Sequence, residues 1–395
     1  MAAPRFHLRS PVGLACLVVF LHYTGAYMRM PLLPLYASAG GAGTAQVGAL
    51  MGTFMVMAAA AALPGGVLAD RFGRRRLILV GVGISTAASL ALPLGNGIVF
   101  LAAVLAVAGW AMAALSPAVM AYIGEAGGPG HAGRAYGWYT TALYAGMTLG
   151  PACGGLAADL LGFRVAFLTS GGVMLASLGL AARGLPERSA PGAAGGGPAM
   201  RLARVAANPL VLACWGAMFC FTFAWGVMLA FLPLYAQGIG LSRRAIGGLF
   251  AVQALANMGM RAPVGYLSDR LGVRAPFVTG GMVAFGAGVA AIPALQTPWA
   301  LAAAIAVTGI AQGVGAVATG AALGEAIEPA ARGAAMGGYS TALYAGIAAG
   351  ALLAGPVIAR AGFGAGFAVP AVLLVIGAAA FHRAAGRAGR ARPLP

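Results

Sequence analysis

Apolar runs fill most of this sequence, and each is long enough to cross the hydrocarbon core of a bilayer as a helix of about 20 residues. Of the 395 residues, 61% are hydrophobic and only 8% are charged, whereas about 25% of the residues of a soluble domain are charged. A soluble globule of this composition would expose large apolar patches to water. The runs do not alternate with a period of two residues, so they indicate helices rather than the strands of a barrel. The sequence therefore predicts an all-α membrane protein.

The short polar segments between the runs divide the chain into twelve predicted transmembrane helices, numbered here as spans 1 to 12. The first span follows Arg5 and Arg9 as a signal peptide would. It is longer than a signal peptide and no small-residue cleavage site follows it, so we expect it to be retained. The predicted bounds are 11–37, 45–68, 77–95, 98–124, 133–159, 165–184, 208–237, 244–268, 275–295, 298–324, 333–359 and 363–382.

The arginines are distributed unevenly between the two ends of the spans. All 24 basic residues are arginine, and the formal net charge is +17. With the N-terminus in the cytoplasm, 18 arginines lie on the cytoplasmic side, two lie within spans, and four lie outside, namely Arg164, Arg243, Arg244 and Arg360. Multi-pass membrane proteins show this positive-inside distribution. We therefore expect a multi-pass protein of the cell inner membrane with both termini cytoplasmic, whose basic charge contacts anionic lipid rather than nucleic acid.

Residue types that the chain lacks exclude several mechanisms. Because no lysine is present, the chain has no Walker phosphate loop for ATP and no Schiff-base site for a chromophore or a pyridoxal cofactor. The four cysteines lie in apolar spans without the spacing of a metal site. None of the four histidines lies beside a second ligand or a nucleophile in the sequence, so we expect no cofactor, no metal and no enzyme activity. A membrane-embedded enzyme is one alternative class of protein. Another is a sensor that resembles a transporter but binds its ligand without flux.

Short segments of the first half recur in the second half. Residues 141–146 return at 341–346 with an offset of 200, and Pro34-Leu35-Tyr36 returns at 233–235 with an offset of 199. A unit of six spans has therefore been duplicated, and because six is even both copies have the same orientation in the membrane. The sequence predicts an N-terminal six-helix bundle over residues 1–184, a flexible cytoplasmic linker over 185–207 and a C-terminal six-helix bundle over 208–395.

The segment between spans 2 and 3 carries a motif that resembles the hallmark loop of the major facilitator superfamily. It reads Gly66-Val-Leu-Ala-Asp70-Arg71-Phe-Gly73 and continues with three arginines. A degraded copy runs from Gly265 to Arg274. The resemblance covers essentially the whole chain and implies the twelve-helix major facilitator fold, in a branch that exports drugs or metabolites.

In the resembled family, this loop forms a charged gate at the cytoplasmic face. Carried over, Asp70 would approach the start of span 11, where helix-terminal amides favour an anion, and Arg74 would pair with Glu125. The alternative is that these charges only fix the topology. The candidate gating residues are Gly66, Asp70, Arg71, Gly73, Arg74, Glu125, Asp269, Arg270 and Glu325.

Span 5 carries small residues at intervals of four, a pattern that resembles the antiporter signature of the same family. Such residues let helices approach closely, and a proline among them removes one backbone hydrogen bond. A packing interface is the alternative interpretation. Span 4 departs from the drug–proton antiporters, because Leu105 stands where they usually carry an arginine. The residues of the span 5 motif are Gly146, Gly150, Pro151, Gly154 and Gly155.

Polar residues at membrane depth are neutral or basic. All seven acidic residues fall at span ends or in loops, and a polar or ionisable residue within a span is costly enough to suggest function. In the resembled family, spans 1, 4, 7 and 10 line a central cavity, and span 8 contributes a polar stripe here. The candidate cavity residues are His22, Tyr23, Tyr27 and Arg29 on span 1, Trp110 on span 4, Phe221, Trp225 and Met228 on span 7, Gln253, Asn257 and Arg261 on span 8, and Gln312 on span 10.

Each of these candidates also has a structural interpretation. Arg261 could extend to the cytoplasmic interface or pair with Glu325, and Arg29 could extend to the outer interface. His22 could be a hydrogen-bonding group between helices instead of a proton carrier. The aromatic stripe of span 7 could be packing instead of substrate contact.

The sequence thus predicts a monomeric secondary active transporter that exports small amphipathic compounds by alternating access, in exchange for protons. His22 is the candidate proton carrier, because imidazole titrates near neutral pH, and Glu125, Asp159 and Glu325 are the alternatives. A cavity with basic and aromatic residues suits a neutral or anionic substrate better than a cation. The alternative function is a facilitator or proton-coupled uptake carrier for an anionic metabolite or a sugar derivative.

Overall fold

The computed structural model describes residues 10–127, 132–187, 205, 207–327 and 332–390. For residues 62–71, 114, 132, 133, 332–334 and 388–390 it describes the backbone alone. All regular structure in these ranges is helical, so the predicted all-α fold is confirmed for the described part of the chain.

The first half begins with a helix that is broken once. Span 1 consists of Pro11–Arg29 and Leu32–Ala39, and the break falls at Pro31, whose ring and missing N–H oppose a continuous helix. Ser10 caps the start of the span, since its hydroxyl accepts a hydrogen bond from the Gly13 amide at 3.1 Å. The helices that follow are Thr44–Phe72, Arg74–Ala91, Ile98–Gly127 and Ala132–Gly184.

The second half repeats this order. Span 7 is unbroken and is capped by Asn208, whose side-chain oxygen accepts from the Leu210 amide at 2.9 Å. Proline at the first helical position starts span 7 and span 10. The helices of this half are Pro209–Gly238, Arg243–Leu271, Ala275–Ala291, Pro298–Glu325 and Arg332–Arg390.

Glycines with positive φ mark the same turns in both halves. Gly162 with φ 82° separates spans 5 and 6, and Gly362 with φ 77° separates spans 11 and 12. Only glycine adopts this backbone conformation without strain. The other positive-φ glycines of the described residues also form pairs related by the repeat, namely Gly41 with Gly240 and Gly73 with Gly272. The duplication seen in the sequence is therefore present in the backbone.

The number of spans follows from these bends. Nine helices of the described residues are long and apolar enough to cross a membrane. Two of them, Arg134–Gly184 and Ala335–Arg387, each contain a glycine bend and so hold two spans. The helix Arg243–Leu271 is outside the nine because its polar stripe lowers its hydropathy, and it supplies the remaining span.

Packing divides the chain into two compact units. Unit 1 comprises Met1–Gly41, Val56–Ala194 and Ser242–Ala251, and unit 2 comprises Ala42–Met55, Gly195–Leu241 and Val252–Pro395. Each unit therefore holds most of one sequence half together with the first turns of span 2 or span 8 from the other. In unit 1 the core joins spans 1, 3, 4, 5 and 6 through buried residues that include Val19, Val82, Leu115, Tyr122 and Ala181. The proposed boundaries at 184 and 208 remain a prediction.

Candidate transport site

The predicted polar stripe of span 8 is joined to span 10 by a chain of hydrogen bonds. Gln312 on span 10 accepts at Oε1 from Gln253 Nε2 at 2.7 Å and from Asn257 Nδ2 at 3.2 Å. Asn257 Oδ1 in turn accepts from Arg261 Nε at 3.1 Å. Gln253 and Asn257 are buried, and Gln312 is half-buried. These four residues, called the span 8–10 cluster below, lie in unit 2.

Two glycines of span 10 bring the backbones of spans 8 and 10 close enough for this chain. A Cβ atom at Gly309 would lie 2.9 Å from the Cβ atom of Ala256, and one at Gly313 would lie 2.7 Å from the carbonyl oxygen of Asn257. Larger residues would push the helices apart, because real Cβ atoms do not approach so closely. Gly309 and Gly313, four residues apart, therefore keep the two helices close enough for the amide side chains of span 8 to reach Gln312.

The residues predicted on span 7 lie mostly in the core of unit 2. Phe221 is buried and stacks on Phe285 with 6.1 Å between ring centroids and an interplanar angle of 25°. Its ring also packs against Gly315 of span 10. Met228 is fully buried, whereas Trp225 is half-buried. Phe221 and Met228 therefore contribute to the packing of unit 2.

His22 lies inside unit 1 beside two tyrosines of its own helix. Its ring meets the edge of Tyr23 at 5.6 Å, and Tyr23 stacks on Tyr27 at 6.1 Å between centroids. His22 is 3% exposed, and its Nδ1 atom has no hydrogen-bond partner among the described residues. A cavity of about 10 Å³ adjoins it, lined also by Ser116 and Tyr139, which is about the space of one water molecule.

Arg29 is directed towards span 3 within unit 1. Its Nη1 atom donates to Ser89 Oγ at 2.8 Å, and Ser89 Oγ donates to Met174 Sδ at 3.2 Å. Arg29 is 2% exposed, and its Nε atom has no hydrogen-bond partner in the described part of the chain. The side chain is thus enclosed by spans 1, 3 and 6 and does not extend to the outer interface.

Trp110 of span 4 lies half-buried.

The charge pair expected at the end of span 4 is present. Arg74 Nε donates to Glu125 Oε1 at 3.1 Å, with side-chain exposures of 10% and 23%. Gly73 precedes Arg74 with φ 88°, a conformation that suits glycine and turns the chain between spans 2 and 3. The side chains of Asp70 and Arg71, like the position of Gly66, fall in the stretch described by its backbone alone. The predicted contact of Asp70 with span 11 therefore lies outside the described residues.

Sequence reasoning missed a second charge pair at the matching place in unit 2. Arg274 Nη2 donates to Glu325 Oε1 at 2.7 Å and to Asp269 Oδ1 at 2.5 Å, and its Nη1 atom donates to Ser268 Oγ at 2.6 Å. The hydrogen bond to Glu325, followed by that to Asp269, raises the pKa of Arg274 above its ordinary value. The copy treated as degraded thus contains a complete network around Arg274, whereas the predicted Arg270 is exposed. The offset of 200, which relates Arg74 to Arg274 and Glu125 to Glu325, is the signal that would have found it.

The glycines of the span 5 motif lie against spans 1 and 8. A Cβ atom at Gly146 would lie 2.8 Å from the Phe20 carbonyl oxygen, and one at Gly150 would lie 2.6 Å from that of Thr24. Gly154 meets the backbone of Met28 in the same way. Gly155 faces the first turn of span 8, where its Cβ atom would lie 3.1 Å from the Gly247 Cα atom. Pro151 lies within the helix between these contacts.

The repeat reproduces this packing in unit 2. Gly346 of span 11 approaches span 7, where its Cβ atom would lie 2.6 Å from the Phe219 carbonyl oxygen. Gly355 approaches the first turn of span 2, with 2.8 Å to the carbonyl oxygen of Thr44. The first turns of spans 2 and 8 each belong to the unit formed mainly by the other half of the chain. They are held at equivalent places in the two units.

The sequence pattern of the Major Facilitator Superfamily matches residues 15–262 and 214–394, which is nearly the whole chain. The chain belongs to the Major Facilitator Superfamily. Members of this superfamily are membrane transporters and not enzymes. The twelve-span fold and the duplicated halves agree with that membership.

Relatives within the superfamily are distant in sequence. Multidrug resistance protein 2 of Bacillus subtilis is 25% identical over 157 residues, which are 40% of this chain and 39% of that protein. The chain spans about two fifths of the length of the curated relatives that it matches.

Solved structures of superfamily members match over almost the full length. A bacterial homolog of the human lysosomal transporter Spinster, in an inward-facing and unoccupied conformation, superposes with a TM-score of 0.84 at 15% identity, covering 98% of both chains. A mutant of the nucleoside transporter NupG gives a TM-score of 0.77 at 12% identity, covering 95% of this chain and 100% of that one. At such identities, the likeness establishes the fold alone.

Proposed function

We propose that this transporter exports small amphipathic compounds from the cell by alternating access, in exchange for protons. The observation that carries the proposal is the span 8–10 cluster, in which four polar side chains are linked at membrane depth. Polar groups within spans face a protein interior or a water-filled cavity, and they mark substrate pathways. The cluster holds a guanidinium and three amides and no carboxylate, which favours neutral or anionic compounds over cations.

The direction of transport rests on span 5 and on the relatives. The glycines of the antiporter-like motif pack against span 1 and the first turn of span 8. Small residues allow such close helix contacts, which we propose open and close during the transport cycle. Multidrug resistance protein 2 adds support for drug export by its name. The arginine distribution supports an inner-membrane location with both termini in the cytoplasm. We propose a monomer, because the repeat supplies both halves within one chain.

The two charge pairs are proposed as gating elements on the cytoplasmic side. Arg74–Glu125 and Arg274–Glu325 lie at the ends of spans 4 and 10, where the arginine count places the cytoplasm. They would hold the loops between spans 2 and 3 and between spans 8 and 9 against spans 4 and 10. Gly66, Asp70, Arg71 and Arg270 belong to the same loops and remain gating candidates by resemblance.

A second candidate function is uptake of an anionic metabolite. The observation that favours it is Arg29, a buried cation with no acidic partner in the described part of the chain. A carrier for nucleosides such as NupG shares the fold, so the fold is compatible with metabolites. His22, or alternatively Glu125, Asp159 or Glu325, would then carry the proton in symport instead of antiport.

Transport into everted membrane vesicles separates these functions. We expect vesicles that contain the protein to accumulate neutral Nile red when respiration is energised, and to lose it when a protonophore is added. Fluorescein serves as the anionic probe and ethidium as the cationic probe, and vesicles without the protein are the control. Uptake of fluorescein by right-side-out vesicles, with no energised accumulation of Nile red in everted vesicles, would replace export by metabolite uptake.

A further inference from the structure

The span 8–10 cluster holds its central amide in one orientation. Gln312 uses a single oxygen, Oε1, to accept two N–H donors, one from Gln253 and one from Asn257. Asn257 is itself held by Arg261 from the other side. Because both donors converge on the same oxygen, a rotation that exchanged the oxygen and nitrogen of Gln312 would break two hydrogen bonds at once. The Gln312 amide is therefore fixed, with Oε1 towards the two donors and Nε2 on the other side of the amide group.

Two atoms of the bonded glutamines are left without a hydrogen bond. Among the described residues, neither Gln312 Nε2 nor Gln253 Oε1 has a protein partner. One is a donor and the other an acceptor, and they flank the 2.7 Å bond that joins the two side chains. An amide group without a partner costs free energy in an apolar environment, so these atoms require water or a ligand.

The fold does not need these amides for packing. At the equivalent positions of the first half, span 2 carries the buried Phe54 where span 8 carries Gln253. Met112 stands on span 4 where span 10 carries Gln312. Since the first half of the sequence has apolar residues at both equivalent positions, the amides of the second half serve something other than the packing that is common to the repeat.

We propose that Gln253 and Gln312 form a donor–acceptor pair that binds substrates with a cis amide, imide or lactam edge. In this arrangement Gln312 Nε2 donates to the carbonyl oxygen of the substrate, and Gln253 Oε1 accepts from the adjacent substrate N–H. The inference rests on the proposed transport of amphipathic compounds and adds the chemical group that is recognised. A site that hydrogen-bonds an N–H group discriminates against an analogue lacking it, because the protein acceptor is then left unpaired.

Binding of two bicyclic compounds tests this pair. The probe is quinolin-2(1H)-one, a neutral lactam with an N–H next to its carbonyl group, and the comparison is its N-methyl derivative. Titration calorimetry with the purified full-length protein measures both affinities. We expect the lactam to bind about tenfold more tightly than the N-methyl compound, since methylation removes one hydrogen bond and leaves Gln253 Oε1 unpaired. Equal affinities, or no detectable binding of the lactam, would overturn the proposal without the use of any variant.

Variants then locate the effect. Gln312→Met and Gln253→Met both keep the length of the side chain and remove its hydrogen-bonding groups. Gln253→Met removes the acceptor of the N–H group and should reduce the discrimination to about onefold. Gln312→Met removes the donor to the carbonyl group, which both compounds carry, and should weaken the binding of both. Gln237→Met is the matched control, because Gln237 lies exposed at the end of span 7. Size-exclusion profiles and melting temperatures establish that each variant is folded. Discrimination that persists in a folded Gln253→Met protein would assign the selectivity to another part of the chain.

The inference and the proposed function can fail separately. If everted vesicles accumulate Nile red and lose it with a protonophore, while the two quinolinones bind equally, export stands and the donor–acceptor pair is refuted. If the lactam binds selectively and no energised accumulation is found with any probe, the recognition site stands and proton-driven export is refuted.

Discussion

Arg74 and Arg274 are 200 residues apart in the chain and form equivalent ion pairs, each with the glutamate 51 residues further on. The duplication has preserved the pair while its surroundings have diverged. Arg74 and Glu125 are largely enclosed, at 10% and 23% exposure. Glu325 is 53% exposed and shares Arg274 with Asp269. The two pairs should therefore differ in how much they stabilise their units.

Neutralising each glutamate measures this difference. Glu125→Gln removes the negative charge from a largely enclosed ion pair, and we expect a loss of about 1–3 kcal/mol. Glu325→Gln leaves Arg274 paired with Asp269 in a solvated setting, and we expect a loss of about 0–1 kcal/mol. Thermal unfolding of the two purified variants, compared with the unaltered protein, gives the order directly. A lower melting temperature for Glu325→Gln than for Glu125→Gln would contradict it.

Much of the fold could be predicted because apolar runs and breaker residues are local signals. The prediction for span 4 was 98–124 and the helix is Ile98–Gly127, and for span 10 it was 298–324 and the helix is Pro298–Glu325. The Arg74–Glu125 pair followed from the resemblance to a family. The Arg274 pair was missed because the offset changes from 199 in the loop to 200 in the following spans. The loop alignment therefore sets Arg274 opposite Arg75 rather than Arg74.

The orientation of residues around a helix was harder to predict. Span 1 is apolar on all sides, so no polar face indicates where Arg29 and His22 point. The structure directs Arg29 to Ser89, and this contact depends on how span 3 packs. For span 8 the polar stripe itself defined a face. The structure joins two of its residues to Gln312 and the third, Arg261, to Asn257. A polar stripe can thus be recognised in the sequence, whereas the direction of an isolated polar residue depends on tertiary packing.

Close contact at Gly155 should be required for the transport cycle. A Cβ atom at Gly155 would lie 3.1 Å from the Gly247 Cα atom, so a larger residue separates span 5 from the first turn of span 8. We expect Gly155→Val to abolish energised accumulation in everted vesicles at normal expression. Gly172→Val is the matched control, since a Cβ atom added at Gly172 in span 6 would meet no described atom within 4 Å. Equal transport by the two variants would show that this contact plays no part in the cycle.

Arg29 offers a test of whether a buried cation serves folding or transport. Its counterpart in the second half is the fully buried Met228, so a methionine is compatible with this position of the repeat. Because burial of a charge without an acidic partner is costly, we expect Arg29→Met to melt at the same temperature or higher. Ser89→Ala, which removes the acceptor and keeps the charge, should melt lower.

Flux through the same Arg29→Met protein then decides the role of the charge. If fluorescein transport falls while Nile red transport persists, Arg29 serves anionic substrates. A melting temperature well below that of the unaltered protein would instead make Arg29 a stabilising residue, and the expectation for this position would be wrong.

His22 is equivalent to Phe221 in the repeat, and both are buried. Replacing the imidazole by a ring of similar size, His22→Phe, should keep the packing against Tyr23 and remove the group that could carry a proton. We expect the variant to let Nile red equilibrate down its gradient and to lose protonophore-sensitive accumulation, with no change of that equilibration between acidic and neutral pH. His382→Phe is the matched control because His382 is exposed on the last span. If His22→Phe still drives accumulation with protons, the coupling passes through Glu125, Asp159 or Glu325, and the same vesicle assay on their glutamine or asparagine variants identifies the carrier.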